Sequence, residues 1–490
     1  MPQHDDYLSR RHERREAAQK KREAEAKRIK RTLLAAVLAL AVCGVAFYNL
    51  TKDVLPDKAE KPEKPEKQTL QVQETTPPPT EAPKPTTPAQ KDPITTIHIK
   101  AAGDLNITDS VVNAGVAIGG FDFGPVFKDV AGILSDADLT VMNFEGNVCG
   151  EPYGTQTTSA PIELIRTLRA CGVDLLQMAN SCAINNGLNG LTATLNSIRS
   201  AGIEPVGAYA NAAELRTSKG YTITDVQGIK VAFVAFTKGL GGRGMPAGNE
   251  DLVNLLYTDY STEYKEIDKD RIGRILKDVE TEKPDLTVAL LHWGSEYNDD
   301  ISKTQKSIVS LMQKQGVDVI IGTHPHTLQP IVFDDAAGTL VAYSLGDFFG
   351  EADRGATNYS IILDIEVTKD ANAGITRVTN YHYTPIYTVR EGEVNGNRDR
   401  RVVRIEKALE AYEDNFLDKI TDATAAGMQK ALTRIPERMA SELEVTCPEC
   451  DKAVTVMIVT NDLKQKILVS DTKCKCGHIL EAGKNAADFD

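Results

Sequence analysis

HWGSEY (292–297) and GTHPHTLQP (322–330) decide how the rest of this chain is read. Each follows an apolar run, DLTVALL at 285–291 and VDVIIG at 317–322, with the length and β-branched content of a buried strand. A helix is expected over 302–315 between them. In an open α/β sheet, ligands bind in the crevice beyond the strand C-termini. Three of the eight histidines, His292, His324 and His326, are therefore predicted to converge on one rim. Neutral imidazole is a common ligand for zinc and similar transition metals. A metal-centred site is the leading reading.

Outward from these stretches, the same pattern recurs. ITTIHIKAA (94–102) alternates like a strand and ends at Gly103-Asp104. DLTVMNF (138–144) ends at Glu145, and VDLLQMA (173–179) ends at Asn180. Helices are expected at 125–136, 161–171 and 187–201. YTITDV and IKVAFVAFT read as a hairpin turning through Gln227-Gly228. Residues 239–262 read as a loop over the rim, with strands near 339–345, 359–368 and 375–388. Helices at 401–416 and 423–436 follow. Carboxylate, amide and imidazole donors together can hold one or two divalent cations. Two cations on one rim could clamp a phosphoryl group and activate a bridging water. Singly, each residue has a plain explanation: an Asp after Gly caps a turn, Asn180 sits in a turn, and an HxH pair is often a surface pair. Their joint occurrence at successive strand ends carries the reading.

Composition bounds the rest. The 490 residues, 41% hydrophobic and 26% charged, suit a chain of several globular parts. A net charge of −13 argues against nucleic acid as the main partner. Residues 1–31 hold eleven Lys/Arg against six Asp/Glu, leaving about −18 for the remainder. TLLAAVLALAVCGVAFYNLT (32–51) carries no charge, and twenty helical residues span the ~30 Å of a bilayer core. The expected layout is a basic cytoplasmic tail (1–31), an uncleaved transmembrane helix (32–51) in the plasma membrane, and everything beyond it extracytoplasmic. Two rivals are weaker. A cleaved signal peptide lacks a convincing small-x-small site, and a lipoprotein box around Cys43 has Val42 where a small residue is required. Residues 52–93 contain ten of the 22 prolines and read as a semi-extended stalk. An α/β domain is expected at 94–390, a helical extension at 391–440 and a Cys-containing tail at 441–490.

The words GD (103–104), NFEG (143–146), AN (179–180), GLNGLTATLNSIRSAGIEPVGA (187–208), IKVAFVAFT, HWGSEY, IGTHPHTLQP and YSLGDF resemble the CapA/PgsA family of capsule and poly-γ-glutamate synthesis proteins. The resemblance spans residues ~96–390. It implies a calcineurin-like metallophosphoesterase fold, a four-layer α/β/β/α sandwich with metals at the strand ends. It maps Asp104 onto the first metal-binding carboxylate, Glu145 onto the bridging carboxylate and Asn180 onto the Asn of the Asn-His motif. His292, His324 and His326 match the three later histidines. Asp104, Glu145, His292 and His326 are thereby the catalytic candidates, with Mn, Fe, Zn or Mg as the cation. Three departures matter: Cys182 takes a His position and Asn185 an Asp position, Asn106 replaces the His of Asp-x-His, and Asp347 stands where the family has Asn. A thiol is a weak donor with an ordinary pKa of ~8.5, a poor substitute for the imidazole that assists turnover in related phosphoesterases. Loss of the Asp-x-His imidazole suggests one firmly held ion and a weak or absent second.

Trp293, beside His292, could stack on a substrate or pack beneath the rim, with Glu296 as its companion at the substrate position. In the tail, Cys447-x-x-Cys450 and Cys474-x-Cys476 frame two apolar stretches in the manner of a zinc ribbon, with His478 a possible replacement ligand. Oxidation to disulfides outside the membrane is the competing reading, and Cys149 with Cys171 is a further possible pair. Three functions are open: an accessory of anionic-polymer synthesis or export that contacts the polymer, its precursor or polymer-synthase subunits; an active metal-dependent hydrolase of phosphoester or amide bonds; and a non-catalytic wall-binding scaffold.

Overall fold

The structure, a computed structural model, describes residues 93–394, 400–415, 420–461 and 463–489. The basic tail, the membrane span expected at 32–51 and nearly all of the stalk lie outside them. Among the described residues, no helix is long and apolar enough to cross a membrane.

The chain opens with β1 (Ile94–Asn106), a short helix α1 (Asp109–Ala114) and a two-residue ribbon, β2 (Val116–Ala117) and β3 (Gly120–Phe121). Helix α2 (Gly124–Ser135), β4 (Leu139–Glu145), α3 (Ile162–Ala170), β5 (Leu175–Gln177), α4 (Gly187–Ser200) and β6 (Glu204–Val206) follow. After α5 (Ala212–Ser218), a second group begins with β7 (Tyr221–Val226) and β8 (Ile229–Thr237). It continues through α6 (Lys269–Thr281), β9 (Leu286–His292), α7 (Lys303–Lys314), β10 (Val319–Thr323), β11 (Leu328–Asp334) and β12 (Thr339–Leu345). The chain then returns to the first sheet with β13 (Asp347–Phe349), β14 (Tyr359–Asp370), β15 (Ile375–Val389) and β16 (Arg401–Arg404).

One sheet runs β16-β15-β14-β1-β4-β5-β6, with β13 also pairing with β1. The other runs β11-β12-β10-β9-β8-β7. Strand parity explains how they stack, because alternate side chains face opposite ways. Val231, Phe233 and Ala235 of β8 join the core shared with the first sheet. Ala232, Val234 and Phe236 pack instead with Ile272, Ile275 and Leu276 of α6 and Ile308 and Met312 of α7. Helices α2, α3 and α4 bury their own apolar faces in the larger core. The α/β sandwich expected from the sequence is thus present, with both sheets between helical layers.

Gly103 permits the feature that positions the rim. The β1–β4 register shifts after Ala102, and a Cβ on Gly103 would stand 1.8 Å from the carbonyl oxygen of Gly346. That oxygen instead accepts a hydrogen bond from the Asp104 amide at 2.9 Å. Only glycine allows so close a backbone approach. The result sets Asp104 opposite Asp347 in the β1–β13 pairing.

The region 391–440 is not only helical. Arg401–Arg404, expected within a helix, forms β16 and completes the sheet edge against β15. Its apolar Val402 and Val403 are buried there, so cross-strand burial overrides the helical pattern. Helices α8 (Ile405–Glu413) and α9 (Asp422–Met439) follow. The tail is a three-stranded sheet of β17 (Ser441–Thr446), β18 (Ala453–Thr460) and β19 (Lys466–Leu468) with its own small core.

Candidate metal centre

Both sheets deliver polar residues to one edge. The first brings Asp104, Asn106 and Glu145 at the ends of β1 and β4, with Asn180 just beyond β5. The second brings His292 at the end of β9, with His324 and His326 just beyond β10. The parallel pairings Thr237↔His292 and Thr323↔His292 bring β8, β9 and β10 to this edge level with one another. The residues form two adjacent nests: Glu145, His292 and His324 in one, and Asp104, His326 and Asp347 in the other. Within each nest the ligand atoms lie within 4.8 Å of one another.

The first nest has acceptors without hydrogens. The Thr237 hydroxyl donates to the Gly239 carbonyl at 2.9 Å, so at 3.2 Å it accepts from Nδ1 of His292. Nε2 of the same ring lies 3.1 Å from Glu145 Oε1. Ser181 also donates to Oε1. The other oxygen, Glu145 Oε2, and Nδ1 of His324 are buried with no hydrogen-bond partner. Buried polar atoms are seldom left so, and a cation would satisfy them together. Burial would raise the Glu145 carboxyl, but the neighbouring His292 outweighs it and holds the group well below the usual carboxylate range. Burial, reinforced by His292, keeps His324 well below its ordinary value and therefore neutral, as a metal ligand must be. These residues fit a divalent cation.

The second nest is closed upon itself. Nδ1 of His326 lies 2.8 Å from Asp347 Oδ1 and 3.5 Å from Asp104 Oδ2. Asn106 Nδ2 donates to Asp347 Oδ1 at 3.1 Å. Burial opposes charge on His326, yet Asp347 and then Asp104 raise it to about 10. Burial likewise lifts Asp347 to about 7, with His326 pulling it down, and burial pushes Asp104 up. An imidazolium paired with a carboxylate already satisfies this nest. The backbone is strained at both histidines, with φ of +93° at His324 and +59° at His326. Such strain clusters at functional sites.

The predicted donors Asp104, Glu145, His292, His324 and His326 come together. Asn180 has a different emphasis. Its Nδ2 donates to Phe144 O at 2.7 Å and Asn143 Oδ1 at 3.2 Å, and its Oδ1 accepts from Cys182 N at 3.1 Å. It braces the rim: Asn143 passes the connection on to Asp104. Asp347 is the donor missing from the sequence-based ligand set. The signal was present, since Gly346-Asp347 repeats the Gly103-Asp104 pattern after a strand. Thr237 and Ser181 carried no such mark.

Trp293 does not face a substrate. It is fully buried, stacks on Tyr343 with centroids 5.7 Å apart, and donates its Nε1–H to the Tyr343 carbonyl at 2.9 Å. It packs beneath the rim because its indole needs both an apolar bed and one acceptor. Trp293→Ala should cost about 3–5 kcal/mol of stability, as large-to-small core changes do. A wild-type unfolding midpoint for that variant would restore the stacking reading. Glu296, by contrast, is exposed at the mouth, with its carboxylate within 4.8 Å of ligand atoms of His324 and His326. Burial, with Glu145 adding to it, pushes the Cys182 thiol up to about 12.

The tail brings Cys447, Cys450, Cys474 and Cys476 together, all four Sγ within 4.8 Å of one another. His478 is not in this group; it contributes its backbone carbonyl to Cys474 N. Cys149 and Cys171 are both free, Cys149 Sγ lying 3.5 Å from Ser159 Oγ.

The fold and rim thus define a two-sheet α/β protein with a carboxylate–imidazole centre at its strand ends. Its sequence identifies the group more narrowly: the chain belongs to the family described as bacterial capsule synthesis protein PGA_cap, which matches residues 98–352. The capsule biosynthesis protein CapA of Bacillus anthracis is 28% identical over 230 residues, 46% of this chain and 53% of that protein. The PGA biosynthesis protein CapA of Bacillus subtilis (strain 168) is 26% identical over 267 residues, 53% of this chain and 66% of that protein. The chain therefore spans between half and two thirds of the length of these relatives. Among solved structures, the calcineurin-like phosphoesterase YfkN of Bacillus subtilis is similar at 17% identity, covering 60% of this chain and 91% of its own, with a TM-score of 0.37.

Proposed function

We propose that this protein acts in the synthesis or export of a capsule-type anionic polymer, poly-γ-glutamate or a capsular polysaccharide. It would do so from an extracytoplasmic position behind the anchor expected at 32–51, through one divalent cation held by Glu145, His292 and His324. The observation that carries the metal is the pair of buried, unpartnered ligand atoms, Glu145 Oε2 and His324 Nδ1. The polymer class is supported by the family and by the names of the two relatives. A bound divalent cation supplies a positive centre that anchors a carboxylate or phosphoryl oxygen. Thr237 and Ser181 orient His292 and Glu145, and Asp104 fixes the His324 backbone by accepting its N–H at 2.9 Å. The His326–Asp347 pair already satisfies the second position, so any second ion there is weak. Binding is favoured over hydrolysis because Cys182 stands where the related enzymes use imidazole, and a thiol pushed to about 12 is a poor proton donor.

We also infer zinc in the tail. The Cys447–Cys476 and Cys450–Cys474 sulfurs are 3.6 Å apart. A disulfide needs ~2.05 Å, whereas tetrahedral Zn–S bonds of ~2.3 Å put sulfurs ~3.8 Å apart. Metal analysis of the full-length chain, purified without chelator, tests both assignments. One rim ion plus one zinc per chain is expected, and Cys474→Ser with Cys476→Ser should remove the zinc alone. Metal-free wild-type protein would overturn the two assignments.

A further inference from the structure

Beyond the rim, a chain of contacts leads to a second feature. The Tyr297 ring lies 5.5 Å from that of His326, and the Arg354 guanidinium sits 4.1 Å over Tyr297. The next residues, Gly355 and Ala356, wall a cavity of about 480 Å³ whose opposite side is helix α9. That side presents Lys430, Arg434 and Arg438, spaced i, i+4, i+8, so the three cations share one helix face at ~6 Å intervals. No acidic residue lines this cavity. Arg434 and Arg438 are paired outside it, with Glu437 and Asp299 respectively. Lys430 and Arg354 have no ion pair among the described residues. The Nε of Arg438 is buried and without a partner.

A protein of net charge −13 repels a polyanion as a whole. A cleft whose only charged lining residues are cations, next in the chain to Arg354, is therefore a selective exception. We propose that this cleft binds a linear polycarboxylate, with successive carboxylates on Lys430, Arg434 and Arg438 and the chain led past Arg354 toward the rim. This rests on the anionic-polymer reading above and extends it, placing the polymer track on α9. Several weak contacts along one chain add up to useful affinity, because after the first the rest are intramolecular. The track should also be sensitive to salt, since Lys430 and Arg434 are exposed.

Binding of fluorescently labelled poly-γ-glutamate to the full-length chain tests the track. Lys430→Glu with Arg434→Glu should weaken binding at least about tenfold, because like charges then face each other. Lys277→Glu with Lys314→Glu makes the same change of net charge on α6 and α7 and should leave affinity within about twofold. Equal losses in the two pairs, no loss in the first pair, or equal binding of neutral dextran would overturn the proposal. Metal content separates it from the rim assignment: the Lys430/Arg434 variant should keep its ions. A metal-free protein that still loses binding on charge reversal would refute the rim ion and leave the track standing.

Discussion

His292→Ala should remove the rim ion and leave the tail zinc in place. The imidazole is one of three donors in its nest, and it is the one whose orientation the structure fixes most fully, through Nδ1 on Thr237 and Nε2 at Glu145. Outer partners of metal ligands typically contribute ~10–100-fold in affinity. Loss of a direct donor should exceed that, so the variant should hold no ion through gel filtration. Thr237→Val supplies the graded comparison. It leaves all three donors but deprives Nδ1 of its acceptor, and affinity should fall ~10–100-fold. Titration with a divalent metal, followed by intrinsic fluorescence, would give both constants. Wild-type affinity in His292→Ala would remove the ion from Glu145 and His324 altogether.

The largest effect on the fold is expected from Gly103→Ala. The new methyl would lie 1.8 Å from the Gly346 carbonyl oxygen and 2.9 Å from its carbon. Both obstacles are backbone, so no rotamer change relieves the contact. β1 and β13 would have to separate, breaking the Asp104 N–H to Gly346 O bond and the Asp104–Asp347 register. Substitutions that force apart a packed backbone fall in the tail above about 4 kcal/mol, a large share of the ~5–15 kcal/mol by which domains are stable. The variant should be recovered largely unfolded, with a urea midpoint far below wild type. An unchanged midpoint would mean that β1 and β13 do not approach as described.

The strand ends were legible because an apolar run stopping at a charged or amide residue is a local signal. That is why Asp104, Glu145, His292, His324 and His326 could be placed before any contact was known. Asp347 carries the same local mark, but its approach to Asp104, 243 residues earlier, rests on a pairing set by one glycine that no local pattern displays. Helix α6 has a clear apolar stripe at Ile272, Ile275, Leu276 and Val279, yet the preceding irregular loop hid its start. Trp293 shows the limit of adjacency: strand alternation turns it away from the face its neighbour His292 occupies. β16 was hidden because four residues carry too short a period to separate strand from helix. Asn180 was correctly placed at the rim, but only the hydrogen-bond geometry reveals an amide occupied on both sides.

The donors of the first nest are divided: Glu145 comes from one sheet, His292 and His324 from the other. An ion held there would rivet two slabs of the molecule, and no fragment carrying a single slab could retain it. Its dissociation constant would then serve as a gauge of how firmly the slabs are joined. Remote substitutions that loosen their contact would register first as leakage of ion, before any melting is seen.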